Sequence, residues 1–110
     1  MMVGDVCWVE LPARGGHAQA GRRPAIILQS VASLSTTLLV PLTSQLDALR
    51  FAGTVLVEAE AQNGLRQHSV ALVFQLTAVD NRFIKDKLGR ASEKVLEQIF
   101  LALDSLTGRI

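Results

Sequence analysis

The residues best equipped for chemistry in this chain lie between Gly15 and Thr43. Arg22 and Arg23 follow a segment punctuated by Gly15, Gly16 and Gly21, whose missing side chains open backbone angles that other residues resist. Pro24 fixes its own φ and biases Arg23 toward an extended backbone, so the second guanidinium rides on a stiff support. A planar fork of N–H donors held beside a glycine loop suits a phosphate oxyanion. The same pair also fits a solvated strand start. His17 is the one group of the loop able to exchange protons near neutral pH, which makes it the candidate acid or base, with a merely solvated imidazole as the alternative. Thr43 adds a hydroxyl that can donate to the same phosphate, its aim stiffened by the β-branch, unless its strand neighbours satisfy it. His68, beside the turn at residues 62–67, has no partner motif and reads as surface.

Other chemistries find no support. One cysteine and two distant histidines make no zinc site, and no acidic cluster has the spacing for Mg²⁺, so neither a metal nor a cofactor is expected. There is no nucleophile elbow and no phosphate-binding P-loop. Tyrosine is absent and aromatic residues are 5% of the chain, which argues against a sheet that stacks successive bases on aromatic rows. With a net charge of +1, no global basic field announces nucleic acid. The distribution says more: residues 11–50 carry Arg14, Arg22, Arg23 and Arg50 against the single acid Asp47, enough for a local basic face. Cys7 lies inside an apolar run and reads as buried packing, with no second cysteine for an internal disulfide. The first nine residues lack the charged start and apolar stretch of a signal peptide, and no run approaches the roughly 18 apolar residues of a membrane span. A reducing cytoplasm and no membrane association are the expectation.

These groups need positioning elements. A length of 110 residues, 49% of them hydrophobic and 19% charged, allows one compact domain, residues 1–110, with a single core. Residues 3–10 read as a first strand with Trp8 half buried, and residues 13–22 as a loop longer than a hairpin needs. Residues 23–30 make a second strand, apolar on both faces at Ala25, Ile26, Ile27 and Leu28, which must be covered twice, by the core and by a helix or a partner chain. Residues 37–43 form a third strand in which Pro41 points to an edge or a bulge. Residues 51–58 and 69–74 are further strands around the Gln62-Asn63-Gly64 turn, and 75–79 continue the last of them. Short strands at irregular spacing suggest a small barrel more than a sandwich. Residues 81–88 predict one or two helical turns stopped by Gly89; Ser92 then caps a helix over residues 93–107, with Gly108 past its end. Val95, Leu96, Ile99, Phe100, Leu103 and Leu106 give that helix one broad apolar face, and Leu101 falls on the other side, a hint of a protein partner or a scattered surface leucine.

Taken together, the Gly4-Asp5-Val6-Cys7-Trp8 opening, the Gly16-His17-x-Gln19-x-Gly21-x-Arg23-Pro24 loop and the apolar strand after it resemble the MazF/PemK (Kid) family of toxin endoribonucleases. Val40-Pro41-Leu42-Thr43-Ser44 resembles the family's threonine-bearing strand end, Gly64-Leu65 followed by Ser69-Val70 its middle hairpin, residues 75–80 its last strand, and residues 87–103 its closing helix. The resemblance implies a mainly β fold, an SH3-like small barrel of the CcdB/PemK kind with a C-terminal helix. It implies a homodimer, an antitoxin partner of the MazE kind with an acidic C-terminal segment, and metal-independent cleavage of single-stranded RNA, with no DNA substrate. Arg23 falls on the family's catalytic arginine, Thr43 on its catalytic threonine, and His17 on a histidine of the PemK branch; Gln19, Gly21, Arg22, Ser44 and Gln75 are implied as substrate contacts. Two positions depart from the pattern: Ala18 stands where the family usually has glutamate, and Phe74 where an acidic residue often precedes the glutamine matched by Gln75. The competing expectations are a non-catalytic, gyrase-poisoning toxin of the CcdB group on the same barrel, and an inert RNA- or protein-binding module. The C-terminal Thr107-Gly108-Arg109-Ile110 lacks the Trp-Gly-Ile end of the CcdB group, which favours the nuclease.

Overall fold

A computed structural model describes residues 1–12 and 21–110. Seven strands and one helix follow in chain order: β1 (Asp5–Leu11), β2 (Gly21–Ile27), β3 (Thr36–Thr43), β4 (Thr54–Val57), β5 (Ser69–Leu72), β6 (Thr77–Asp80), β7 (Ile84–Arg90) and α1 (Glu93–Leu106). Single 3₁₀ turns occupy Leu46–Arg50, Val73–Gln75 and Asn81–Phe83. All pairings are antiparallel, in the order β4-β5-β3-β2-β1-β7 with β6 also against β3. Among the described residues no helix is long and apolar enough to cross a membrane.

The sheet is strongly curled. Neighbouring strands lie about 4.8 Å apart, so a flat sheet would hold β1 and β4 roughly 19 Å from each other. Yet Val6 of β1 and Val55 and Val57 of β4 share one buried cluster with Ile26, Val40, Leu42, Ala71 and Ile99. On the opposite face Cys7, Val9, Ala25, Ile27, Leu39 and Val79 form a second cluster, with Ile84 against it. The second cluster is ringed by β6-β3-β2-β1-β7, and the chain itself bridges β6 to β7 through Asn81–Phe83, with no hydrogen-bonded ladder between those two strands. The mainly β fold with a C-terminal helix is as expected, and in place of a closed barrel the strands form a curled sheet whose ladder stays open.

This geometry corrects the reasoning about β2. Its two apolar faces are covered within one chain: Ala25 and Ile27 enter the second cluster, Ile26 and Leu28 the first, and all four are buried. No partner chain is needed there. Pro41 lies on a central strand, paired with Ala25 of β2, not on an edge. Along its other side β3 pairs with β6 through residues 36–39 and with β5 through 42–43, so the proline falls in the gap where β3 changes partners. Residues 75–79 do not prolong β5, because the Val73–Gln75 turn steps the chain along β3 to start β6. The expected 51–58 strand begins only at Thr54, after a turn in which Gly53 takes φ +72°.

The helix expected over 81–88 is the largest local correction. Asp80 accepts a hydrogen bond from the Arg82 N–H at 2.9 Å, and the helical signal ends after that turn. The free edge of β1 then recruits Ile84–Arg90 as a strand, irregular in register, whose Lys85, Asp86 and Lys87 are exposed as edge charges commonly are. Gly89 serves packing, not helix termination: a Cβ there would collide with the carbonyl of Gln62. The C-terminal helix follows expectation. Ser92 Oγ accepts from the Val95 N–H at 3.1 Å, Ile99 is fully buried, and Gly108 adopts φ +79° past the end. Its apolar face is narrower in use than in sequence, since Phe100 and Leu106 remain exposed with Leu101.

Candidate active site

Where β2 begins and β3 ends, the curled sheet leaves a cleft of about 560 Å³. Arg22, Arg23 and Pro24 of β2 line it together with Trp8 of β1, Leu42-Thr43-Ser44-Gln45 at the end of β3, and Gly64-Leu65-Arg66-Gln67 from the turn between β4 and β5. Four residues singled out by sequence therefore meet in one place: Arg22, Arg23, Thr43 and Ser44. Among the described residues, three arginines and no carboxylate face this space.

Adjacent strand residues point to opposite faces, and the two arginines of β2 differ accordingly. Arg22 is exposed, its guanidinium carbon 5.2 Å from the centroid of the Trp8 ring. Arg23 is half buried; its Nη1 donates a long hydrogen bond of 3.5 Å to the Leu42 carbonyl, and its buried Nε has no acceptor. Burial pushes the Arg23 guanidinium below its ordinary value. An unfilled, partly desolvated donor fork at a cleft wall is chemically suited to an oxyanion, which would supply the missing acceptor. Thr43 Oγ1 accepts the Gln45 N–H at 3.2 Å, which leaves the hydroxyl proton available to donate.

Other expected contacts lie elsewhere. Gln75 sits in the Val73–Gln75 turn, half buried, and is not among the lining residues; Gly21 opens β2 at φ +85°, exposed and outside the lining. Phe74 pairs with Phe51, ring centroids 6.0 Å apart, and takes no part in the cleft. His17, Gln19 and Ala18 fall outside the described residues. Among the described residues, no group of three or more His, Cys, Asp or Glu side chains comes together as a metal site would require.

Sequence reading placed a turn at residues 62–67 but missed that it supplies Arg66 and Gln67 to the cleft. Its anchor is Asn63, a buried amide that accepts from the N–H groups of Glu60 at 3.1 Å and Leu65 at 3.0 Å and donates to the Glu58 carbonyl at 2.8 Å. Gly64, at φ +70°, presses its backbone onto the Leu88 carbonyl, where a Cβ would clash, and the Arg90 N–H donates to the Gln62 carbonyl at 2.8 Å. His68 is exposed as expected but not idle: its Nδ1 accepts the Ala59 N–H at 2.9 Å and closes the base of the turn. The available signal was the Asn63-Gly64 pair itself, a turn former placed shortly before a cation.

A family model for the PemK-like, MazF-like toxins of type II toxin–antitoxin systems matches residues 2–107. The chain belongs to this family. Among its members, the Endoribonuclease MazF of Staphylococcus saprophyticus is 27% identical over 98% of this chain and 92% of its own length. The crystal structure of MazF from Deinococcus radiodurans aligns with a TM-score of 0.81 at 27% identity, covering 96% of this chain and 94% of that one. The MazE–MazF structure from the same organism aligns at 0.75 with 28% identity over 96% and 94%. The likeness extends over the whole MazF-like fold, curled sheet and closing helix together.

Proposed function

We propose that this toxin is an endoribonuclease that cuts single-stranded RNA without a metal ion, and that this activity arrests translation and growth. The observation that carries the reading is the cleft itself: among the described residues, three arginines, no acid, and in Arg23 a half-buried guanidinium whose Nε lacks an acceptor. The nucleophile is the substrate's own 2′-OH. It attacks the adjacent phosphorus, its proton leaves to a base, the bond from phosphorus to O5′ breaks, and O5′ takes up a proton. The products are a 2′,3′-cyclic phosphate and a 5′-OH end. Charge collects on the non-bridging oxygens in the transition state, where a preorganised donor is typically worth about 100- to 1,000-fold in rate. Arg23 fills that role and Thr43 donates a second hydrogen bond to the same group; Ser44 and Arg22 contact the strand on either side. Arg23 is no base, since a guanidinium gives up its proton too poorly. Among the residues of the glycine loop, His17 has the chemistry for proton transfer.

The toxin acts as a homodimer restrained by an antitoxin of the MazE kind, whose acidic C-terminal segment competes with RNA for the arginines of the cleft. The deciding experiment is incubation of a defined single-stranded RNA with the purified protein in EDTA. Cleavage with cyclic phosphate ends, and none of the all-deoxy strand, is expected. A requirement for Mg²⁺, or cutting of DNA, would overturn the mechanism, and an intact RNA would return the chain to a purely binding role.

A further inference from the structure

We infer that Arg66 is a substrate-positioning residue that grips a phosphate next to the scissile one, so that the RNA backbone is held at two points and not at the reacting group alone. The inference rests on RNA being the ligand of this cleft. Arg66 lines the same space as Arg23 but comes from a different element, the turn between β4 and β5. It is exposed, and among the described residues no carboxylate or carbonyl accepts a hydrogen bond from its guanidinium. An exposed arginine loses rotamer entropy on binding, but the turn that carries this one needs no further ordering, because its backbone is already fixed on four sides: by the Asn63 amide, by the Gly64 backbone against Leu88, by the Arg90 to Gln62 hydrogen bond and by His68 on Ala59. Arg22 is carried by the β1–β2 ladder, opposite Glu10, and its side chain rests on Trp8. A cleft of about 560 Å³ has room for more than one phosphodiester, and its lining holds no acid that would repel a second. Arg23 and Thr43 hold the reacting group; a strand crossing the cleft toward the β4–β5 turn brings its neighbouring phosphate to Arg66.

Such a contact binds ground state and transition state alike, so it acts on KM and leaves kcat in place. The probe is the RNA cut in EDTA by the wild-type protein, made resistant by a 2′-deoxy sugar at the cut nucleotide. Binding is measured across a salt series. Each phosphate neutralised on a single strand contributes about 0.7 to the slope of log affinity against log salt, so Arg66→Ala is expected to lower that slope by about 0.7 and to raise KM roughly tenfold. Arg66→Lys keeps the slope, because a point charge suffices, and Lys94→Ala, a loss of charge outside the cleft, leaves it alone. A methylphosphonate scan identifies the site: one non-scissile position weakens wild-type binding and has no further effect in Arg66→Ala. A wild-type slope in Arg66→Ala, a drop in kcat at unchanged KM, or equal shifts from Arg66→Ala and Lys94→Ala would each overturn the inference while leaving the nuclease intact. Wild-type protein that neither cuts nor binds RNA takes both readings down.

Discussion

Arg22 and Arg23 are neighbours in sequence and opposites in environment. The first is an exposed cation over Trp8; the second is half buried with an unfilled donor. Only a desolvated, preorganised guanidinium gains strength against an oxyanion, because bulk water competes for the other. Arg23→Ala is therefore expected to lower the cleavage rate about 100- to 1,000-fold, Thr43→Ala to act in the same direction, and Arg22→Ala to cost roughly tenfold or less, with folded circular dichroism spectra throughout. Equal losses for the two arginines, read from single-turnover rates, would reduce the pair to a general electrostatic patch. The sequence already marked Arg23, because Pro24 and the glycines before it are local signals. Arg66 was not legible. The Asn63-Gly64 pair marks a turn locally, but the approach of Arg66 to the cleft depends on the Gly64 backbone packing against Leu88 and on the Arg90 to Gln62 hydrogen bond, contacts with a distant strand that no local pattern encodes.

Among the elements, α1 was the easiest to read and β7 the hardest, for one reason. Helix signals are local: Ser92, Glu93 and Gly108 state the ends, and the repeat of Val95, Ile99 and Leu103 states the face. Residues 84–90 owe their conformation to the open edge of β1, a partner nearly eighty residues earlier in the chain. That strand is tied down by charge as well as by its ladder. The carboxylate of Asp5, 2% exposed, accepts from the Met2 N–H at 2.8 Å and from Arg90 Nη1 at 2.6 Å, with Lys87 Nζ at 3.3 Å. Burial alone would raise its pKa, but the Met2 hydrogen bond and the two cations prevail and hold it below its ordinary 3.8. A group depressed in the folded state stabilises the fold at every pH above its unfolded value, and that contribution disappears as the pH falls below 3.8 through the folded value. Asp5→Asn is expected to cost about 2 kcal/mol at neutral pH and to unfold with a shallower acid dependence than wild type in urea titrations. An identical acid limb in the two proteins would assign the loss to other carboxylates.

At the scale of the whole molecule, the two apolar faces of β2 suggested a need for a partner chain, and the curl of the sheet removes it by enclosing both clusters within one protomer. What the fold leaves uncovered lies elsewhere. Phe51 and Phe74 meet with ring centroids 6.0 Å apart and planes tilted by 59°, the Phe74 N–H donates to the Gly53 carbonyl at 3.2 Å, and the Leu106 side chain lies where a Gly53 Cβ would be. These three apolar residues, 48%, 42% and 42% exposed, form one patch beside the end of α1, the kind of surface that self-association covers. The proposed homodimer is therefore expected to show twice 11.9 kDa in light scattering at micromolar concentration, and Phe74→Glu to shift it toward the monomer without loss of secondary structure. The proposed antitoxin segment is expected to address a different surface. Three arginines without an acid, among the described residues, suit an extended acidic peptide as much as RNA, so the two proposed ligands are expected to exclude each other, and because both contacts would be charge pairs near solvent, inhibition should weaken as salt rises. Fluorescence competition between a labelled, uncleavable RNA and an acidic antitoxin peptide tests both halves. A monomer in wild-type protein would remove the dimer, and a ternary complex of toxin, RNA and inhibitory peptide, or inhibition indifferent to salt, would move the antitoxin off the cleft.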